Sequence, residues 1–268
     1  MNKFAKAIKA ISLLLQKPSL LNNVLEDNDV MREGVQYKYN LHNGLPVVDL
    51  LSLLPSFNET VAPYSYLDGT SSPLDIALLR SLAKQYSACR YFEIGTWRGE
   101  SVANIASVAK ECVTLNLPDE EMRRMGLDEE YISLHRFFSK NLPNVQHLQH
   151  NSSTFNFNSI GKFDLIFVDG DHHYEQVKQD TQNVFNLLNN PDSAIVWHDY
   201  LDHSGNIRYE VLAGILDGCP ADLRSNLYHV SNTMCALFTR KKLPTTAFNP
   251  NPSPNKSFTL TISAERFK

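Results

Sequence analysis

The stretch from Tyr91 to Ser101 constrains the fold of this chain most strongly. It reads YFEIGTWRGES, and it joins an apolar segment, predicted as a strand over Cys89–Ile94, to an amphipathic segment predicted as a helix. Gly95 permits a tight turn because it has no Cβ, and the start of the helix offers unpaired backbone N–H groups to a polar ligand. Glu93, at the carboxyl end of the strand, is expected to face the same crevice. An ordinary strand-to-helix turn without a ligand is the alternative, because the glycine spacing alone is a weak motif.

Strands and helices alternate through the middle of the chain. Further strands are predicted for Val113–Leu117, Val145–Leu148, Phe163–Val168 and Ala194–Trp197, followed by a hairpin of Leu227–Val230 and Met234–Thr239. Helices are predicted to begin at Ser72 and near Tyr174, and to cover Glu130–Asn141 and Ile207–Leu216. This order predicts an α/β fold with a Rossmann-like, mostly parallel sheet and a C-terminal antiparallel hairpin. In such sheets ligands bind beyond the carboxyl ends of the strands.

Composition narrows the class of protein. The chain has 268 residues, of which 43% are hydrophobic, enough for one sizeable domain with additions. Its formal net charge of -4 argues against a nucleic-acid partner, which would require a basic surface. The four cysteines form no Cys-x-x-Cys pair, and three of them lie in or beside apolar runs, which indicates buried thiols in a reducing compartment. We therefore expect a cytoplasmic protein.

The sequence divides into three parts. Residues 1–72 are predicted to form an N-terminal cap, residues 73–240 the α/β domain, and residues 241–268 a polar tail with a short added strand at Phe258–Ile262. The cap starts with an amphipathic helix over Met1–Gln16, which is too short to span a membrane. We expect this helix to pack on its own domain or on a second copy of the chain; binding to a membrane surface is the less favoured alternative.

Tyrosines are concentrated in the cap, at positions 37, 39, 64 and 66. Their rings could line the mouth of a substrate site, but packing beneath a loop is the favoured interpretation. Apart from these rings, residues 1–70 show no pattern that indicates a particular chemistry.

Acidic residues follow two neighbouring strands. The fourth predicted strand is followed by Asp169, and the fifth by His198 and Asp199. Because parallel strands end at the same edge of a sheet, Asp169 and Asp199 are expected to lie close enough to share a divalent cation such as Mg²⁺. His172 is expected at the same pocket, where an imidazole could accept a proton from a substrate hydroxyl.

Each of these residues also has a purely structural interpretation. The two aspartates could cap the following helices without a metal, Asp171 or His172 could begin the next helix, and His198 could be a hydrogen-bonding residue at the strand end. For Asp171 the structural role is the favoured one.

Three blocks of the sequence, in this order, resemble a known family. FEIGTWRGES at 92–101, FDLIFVDGDHHYEQVKQD at 163–180 and AIVWHDY at 194–200 are similar to the class I S-adenosylmethionine-dependent methyltransferases. They most resemble the subgroup that contains macrocin-type sugar O-methyltransferases and cephalosporin-hydroxylase-like proteins. The resemblance covers about residues 73–240 and implies a seven-stranded sheet with a reversed C-terminal hairpin.

The resemblance also implies roles for individual residues. Those that would contact S-adenosylmethionine are Glu93, Gly95, Thr96, Gly99, Ser101, Asn116, Asn151, Ser152 and Asp169, with Glu93, Gly95 and Gly99 on the methionine part and Asn151 and Ser152 on the adenine. The metal ligands would be Asp169, His198 and Asp199, and the general base would be His172.

Two positions depart from the family pattern. His198 stands where relatives with a metal often have an acidic residue, and imidazole suits softer cations than Mg²⁺. Asn116 stands where related enzymes usually place a carboxylate for the cofactor ribose, and Asp119 is a candidate replacement.

These observations predict methyl transfer from S-adenosylmethionine to a hydroxyl of a sugar, glycan or small natural product, with a divalent cation as a candidate second cofactor. Three alternatives stay open: an NAD-dependent oxidoreductase, a catalytically inactive cofactor-binding partner protein, and a cephalosporin-hydroxylase-like enzyme whose reaction is not methylation. The expected partner is a small-molecule or glycan acceptor, and the N-terminal segment is a candidate for contacts between subunits.

Overall fold

A computed structural model describes residues 3–17 and 28–266. Its helices are α1 (Lys3–Gln16), α2 (Asn28–Tyr39), α3 (Leu50–Leu53), α4 (Pro73–Ala83), α5 (Glu100–Ala106), α6 (Asp119–Arg124), α7 (Glu129–Leu134), α8 (Tyr174–Phe185) and α9 (Tyr209–Gly218). Its strands are β1 (Val47–Val48), β2 (Arg90–Ile94), β3 (Glu111–Asn116), β4 (Val145–Gln149), β5 (Leu165–Val168), β6 (Ala194–Trp197), β7 (Leu227–Val230), β8 (Ala236–Phe238) and β9 (Thr245–Thr246).

The strands of the described segments form one sheet in the order β4-β3-β2-β5-β6-β8-β7-β1-β9. Strands β4, β3, β2, β5 and β6 are parallel, whereas β8 runs antiparallel to both β6 and β7. The predicted Rossmann-like sheet with a C-terminal antiparallel hairpin is therefore confirmed. The chain leaves β2 toward β3 on one side and returns to β5 on the other, so the carboxyl ends of β2 and β5 flank the switch point where such sheets bind ligands.

The sheet has more strands than the predicted seven. The two-residue strands β1 and β9 extend it beyond β7; β1 pairs parallel with β7 and antiparallel with β9. Strand β1 belongs to the predicted N-terminal cap and β9 to the predicted tail, so both terminal segments contribute to the edge of the sheet. Two-residue strands carry too short a pattern for recognition from the sequence.

Two smaller predictions were wrong in their limits. The helical pattern of Glu130–Asn141 forms only α7, which ends at Leu134, and the following residues make turns in which Arg136 has a positive φ of 64°. The alternating residues Phe258–Ile262 form no strand; Phe258, Leu260 and Ile262 are exposed. Local periodicity did not predict the tertiary contacts: after α7 the backbone N–H groups of Arg136 and Phe138 donate to the backbone oxygens of Trp97 and Arg98, and Phe258–Ile262 pairs with no strand of the described residues.

The central strands are buried on both faces. All four residues of β5 are buried: Ile166 and Val168 belong to the hydrophobic cluster that also contains residues of α8 and α9, and Leu165 and Phe167 to the cluster that contains residues of α3, α4 and α5. This is the pattern expected of a parallel sheet covered by helices on both sides. The rigid centre of the sheet therefore fixes the positions of the residues that follow β2, β5 and β6.

Helix α1 does not pack on its own domain as expected. It forms, but it has no buried residue among Lys3–Gln16. Residues 1 and 2 of the predicted helix lie outside the described residues. Among the helices that the structure describes, none combines the length and apolar character needed to cross a bilayer.

Candidate active site

Gly95 brings the ends of β2 and β5 together. Its φ is 90°, and a Cβ at this position would lie 1.9 Å from the backbone oxygen of Asp169. Gly99 is the N-cap residue of α5 with a φ of 80°, and a Cβ there would lie 2.2 Å from Oγ of Ser139. Both positions therefore require glycine because the protein packs against itself there.

Glu93 lies beneath this turn and not at an open crevice, which corrects the sequence-based expectation. Its side chain is completely buried, and Oε2 accepts a hydrogen bond from the Tyr91 hydroxyl at 2.6 Å. Burial raises the pKa of Glu93 to about 8, against the hydrogen bonds from Tyr91 and Ser101. Oε1 has no hydrogen-bond partner among the described residues. A buried carboxyl with one free oxygen is therefore held close behind the glycine turn.

The residues around the end of β3 are tied to one another. Thr96 is buried; its backbone N–H donates to Oδ1 of Asn116 at 3.3 Å, and its Oγ1 has no partner among the described residues. The Asn116 amide nitrogen approaches Nδ1 of His135 at 3.2 Å and the backbone oxygen of Leu117 at 3.3 Å. Asn116, the predicted ribose contact, is thus already engaged within the protein, whereas the Thr96 hydroxyl is buried without a partner among the described residues.

Asp119, the candidate replacement for a ribose-binding carboxylate, is paired with Arg136. Both carboxylate oxygens lie 2.9 Å from NH2 of Arg136, and Oδ1 also accepts from Gln149 at 2.8 Å. The pair borders a cavity of about 610 Å³ at the β4 edge of the sheet. None of Asp169, His198 and Asp199 lines this cavity, so it lies apart from the cluster of acids and histidine.

The predicted adenine contacts lie in the loop after β4. The amide nitrogen of Asn151 donates to Glu121 at 3.0 Å, and Oγ of Ser152 accepts from Gln176 at 2.9 Å. Ser152 also forms a hydrogen bond with Asp180, a buried residue whose pKa is raised to about 6 by burial. Through Ser152, Gln176 and Asp180 the loop after β4 is joined to α8.

Asp169, His198 and Asp199 form a compact cluster at the carboxyl ends of β5 and β6. One potential ligand atom from each lies within 4.8 Å of the others. Nδ1 of His198 is 3.2 Å from a carboxylate oxygen of Asp169 and 3.2 Å from one of Asp199. Asp199 has a positive φ of 54°, an uncommon conformation that aspartate tolerates better than most residues. The structure thus brings the three predicted metal ligands together.

The charged forms of His198 and of the surrounding carboxylates stabilise one another. Burial alone would lower the pKa of His198, but the neighbouring carboxylates of Asp169, Asp199 and Asp75 hold it well above its usual range. Burial would likewise raise the pKa of Asp199, but the hydrogen bond and charge of His198 hold it far below its usual range. The favoured state is therefore an imidazolium surrounded by carboxylates.

Asp75 is a member of this cluster that the sequence did not reveal. It was predicted only as part of the helix cap, and the capping box with Ser72 is present. Its side chain is also fully buried: Oδ2 lies 3.3 Å from Nε2 of His198, and Oδ1 accepts from the backbone N–H of Met234 at 2.9 Å. No spacing rule connects residues 123 positions apart, so only the fold could show this contact.

His172 and His173 have different surroundings. Nδ1 of His172 lies 3.1 Å from Oδ2 of Asp199, and its side chain is partly exposed. His173 is exposed and pairs with Asp171, which also accepts its backbone N–H at 2.8 Å. The N-cap residue of α8 is His173, so neither Asp171 nor His172 begins the helix. Only His172 therefore joins the cluster at the strand ends.

The N-terminal cap covers this region, which the sequence did not predict. Oγ of Ser71 donates to Asp169 at 3.1 Å, and the hydroxyl of Tyr64 donates to the backbone oxygen of Ser71 at 3.1 Å. The rings of Tyr64 and Tyr66 contact each other at right angles with 4.6 Å between centroids, and Tyr66 is 61% exposed with a positive φ of 56°. Tyr64 is thus partly buried and linked through Ser71 to the cluster, whereas Tyr66 is exposed and packs on Tyr64.

The cap is also anchored on the start of α5. Glu100 accepts hydrogen bonds from the backbone N–H of Ser65 at 3.0 Å and from the hydroxyl of Thr70 at 3.1 Å. Arg98 donates to the backbone oxygen of Asp68 at 2.9 Å. Because these side chains are buried, the segment is held firmly over the turn between β2 and α5.

Part of the chain matches a known protein family. Residues 92–200 match a family described as a methyltransferase domain. No curated protein sequence matches this chain significantly. The matched region runs from β2 to Tyr200 and therefore includes the glycine turn and the cluster of Asp169, His198 and Asp199.

Several solved structures are similar to the chain. The O-methyltransferase TomG of Streptomyces achromogenes, involved in tomaymycin synthesis and in complex with S-adenosylmethionine, is 18% identical; the match covers 63% of this chain and 82% of that chain, with a TM-score of 0.41. An O-methyltransferase of Bacillus cereus in complex with S-adenosylhomocysteine is 15% identical over 83% of this chain and 96% of that chain, with a TM-score of 0.44. For YcgJ of Bacillus subtilis the identity is 17%, the coverage 46% and 49%, and the TM-score 0.36, so the match spans about half of that protein.

The raised pKa of Glu93 predicts a pH-dependent stability. Because its folded pKa of about 8 exceeds the ordinary value of 4.5, its contribution to stability is fully present below about pH 4.5 and is lost as the pH rises toward 8. Glu93→Gln, which keeps a neutral group at this position, is expected to gain about 1 kcal/mol or more relative to the native chain between pH 5 and pH 8, since one pKa unit corresponds to about 1.4 kcal/mol.

Urea unfolding at several pH values measures this difference. Glu130→Gln, which removes an exposed carboxyl, is the matched control and should show no such trend. A constant difference between Glu93→Gln and the native chain across this pH range would show that Glu93 is ionised in the folded protein.

Proposed function

We propose that this protein transfers a methyl group from S-adenosylmethionine to a hydroxyl of a small-molecule or glycan acceptor, assisted by a divalent cation. The observation that carries the proposal is the cluster of Asp169, His198 and Asp199, with His172 beside it, next to the glycine turn of a methyltransferase domain. An inert binding protein has no need for a histidine oriented by a carboxylate at this position.

The residues around the glycine turn fit the cofactor. Oε1 of Glu93 and Oγ1 of Thr96 are buried polar atoms without partners among the described residues, and leaving such atoms unpaired is unfavourable. The hydroxyl of Thr96 is the better candidate for direct contact, because Glu93 lies completely beneath the turn. When bound, S-adenosylmethionine would supply an electrophilic methyl group on a positively charged sulfur.

His172 is placed to take the proton of the acceptor. If its Nδ1–H donates to Asp199, its Nε2 is the nitrogen that can accept a proton. Asp199 would fix the orientation of the ring and stabilise the charge that the ring gains, the arrangement expected of an oriented general base. Asp169 and Ser71 border the same position and could orient the acceptor.

The donor set fits a divalent cation under one condition. Two carboxylates and an imidazole are suitable ligands, and Asp75 supplies the second carboxylate contact typical of a metal-binding histidine. In the favoured state of the cluster, however, the proton on Nδ1 of His198 occupies the place between the acids. A cation would therefore replace that proton, and would supply Lewis acidity that makes the acceptor hydroxyl easier to deprotonate.

The acceptor is proposed to contact Tyr66. This ring is exposed, packs on Tyr64, and is linked through Tyr64 and Ser71 to Asp169. A strained backbone at an exposed aromatic residue is commonly found where a ligand is held. An aromatic ring of this kind can cover the apolar face of a sugar or of a small natural product.

The choice of cofactor is the first test. In calorimetry S-adenosylmethionine and S-adenosylhomocysteine should each bind, whereas NAD should give no heat. Thr96→Val, which removes the unpartnered hydroxyl, should weaken binding roughly 3- to 10-fold, because one hydrogen bond contributes about 0.5–1.5 kcal/mol. Thr259→Val in the exposed tail is the control. Binding of NAD alone would instead identify an oxidoreductase.

The second test concerns the base. His172→Ala should lower turnover roughly 10²- to 10⁴-fold, the usual contribution of a general base, and leave the affinity for S-adenosylmethionine nearly unchanged. His173→Ala should have little effect, since His173 is exposed and pairs only with Asp171. The assay first needs an acceptor, found by screening sugars and phenols. Full turnover of His172→Ala from pH 6 to 9 would contradict this role, and the acceptor hydroxyl would then have to ionise on the bound cation without a protein base.

The third test concerns the cation. Mn²⁺, followed by electron paramagnetic resonance, should bind the native protein, and Asp199→Asn should weaken this binding at least tenfold because it removes a ligand charge. Asp171→Asn, which alters a neighbouring carboxylate outside the cluster, should bind as the native protein does. Turnover unchanged by EDTA, with no Mn²⁺ bound, would show that the cluster works as a hydrogen-bond network with His198 as its cation.

A further inference from the structure

Helix α1 presents two chemically different faces and has no buried residue. Phe4, Ile8, Ile11 and Leu15 recur at spacings of 4, 3 and 4 and therefore form one stripe along the helix. Their exposed fractions are 75%, 55%, 59% and 79%. Apolar residues that are exposed singly on a surface are ordinary. A contiguous stripe of four large apolar side chains instead indicates a binding surface.

The opposite face of α1 is basic. It carries Lys3, Lys6 and Lys9, with the 42% exposed Leu13 among them, and the helix contains no aspartate or glutamate. The remainder of the chain has 22 basic and 29 acidic residues, since three of the 25 lysines and arginines lie in α1. The positive charge of this helix is therefore set apart from a chain that is otherwise net acidic.

We propose that α1 binds to the surface of a membrane that contains anionic lipids, lying in the interface with its apolar stripe among the acyl chains. A short helix with lysines on one face and phenylalanine, isoleucine and leucine on the other has the composition of interfacial helices. The lysines would then reach the anionic headgroups along the polar side. The proposal concerns attachment of the protein and is independent of its reaction.

Pairing of two α1 helices explains the same residues less well. It would bury only four large side chains from each helix and would leave the lysines on the outer faces of the pair, without a carboxylate on either helix. Pairing therefore accounts for the apolar face of the helix but not for its basic face. An anionic lipid surface satisfies both faces of the helix at once.

Flotation of the full-length protein with vesicles tests the proposal. Vesicles of phosphatidylcholine and phosphatidylglycerol at 7:3 should bind the protein at least tenfold more strongly than vesicles of phosphatidylcholine alone, and 0.5 M salt should reduce this preference. The double variant Ile8→Glu, Ile11→Glu should lose at least tenfold in binding, and so should Lys6→Glu, Lys9→Glu. Tyr37→Glu, which adds a charge at a 95% exposed ring of α2, is the matched control and should bind normally.

Light scattering on the same variants tests whether a second copy of the chain, and not a membrane, covers the apolar stripe. Since α1 has no buried residue, all variants should keep the thermal unfolding midpoint of the native chain. The proposal is overturned if the native protein ignores anionic vesicles, or if it binds neutral and anionic vesicles equally. A native dimer that becomes monomeric in Ile8→Glu, Ile11→Glu without any vesicle binding would assign the stripe to a second copy of the chain.

Discussion

The charge of His198 is the interaction on which the candidate site depends. The ring is buried at the end of β6, between Asp169 and Asp199 on one nitrogen and Asp75 on the other. Burying a single carboxylate here would be costly, and so would burying an unpaired imidazolium. Together they can remain charged away from water, and the cluster thereby ties the ends of β5 and β6 to α4 and, through the Met234 contact of Asp75, to the C-terminal hairpin.

The same cluster explains why the N-terminal cap and the sheet form one functional unit. Ser71 reaches Asp169 from the segment before α4, while Glu100 holds the preceding residues at the start of α5. The cap therefore contributes the hydroxyl of Ser71 to a cluster whose charged residues come mostly from strand ends. In enzymes of this architecture the sheet supplies rigid positions, and added segments can change what the site accepts.

The parts that could be predicted from the sequence are those governed by local pattern. Apolar runs predicted the central strands, and parallel strand order then placed Asp169 and Asp199 at one edge of the sheet. Asp75 escaped recognition because its local role as a capping residue was a sufficient explanation of its position. Ser71 was missed for a related reason, since its contact with Asp169 joins segments that are distant in sequence. For Tyr66 the sequence left two roles open, at the mouth of a substrate site or beneath a loop. Phe258–Ile262 shows the opposite error, where a strand pattern has no partner strand.

Two carboxyl groups near the same edge of the sheet, those of Glu93 and Asp199, have pKa values that their surroundings shift in opposite directions. Among the described residues, those that shift the pKa of Glu93 are hydroxyl donors and a carboxylate but no cation, so burial dominates and favours its neutral form. Asp199 instead contacts His198 and stays ionised. The two carboxyl groups thus differ in charge: Asp199 at the strand ends is ionised, and Glu93 beneath the turn is neutral. A positively charged ligand above the turn would stabilise the ionised form of Glu93. The protonation of Glu93 can therefore depend on the charge of a ligand that it does not contact, because the electrostatic interaction between two charges extends beyond contact distance.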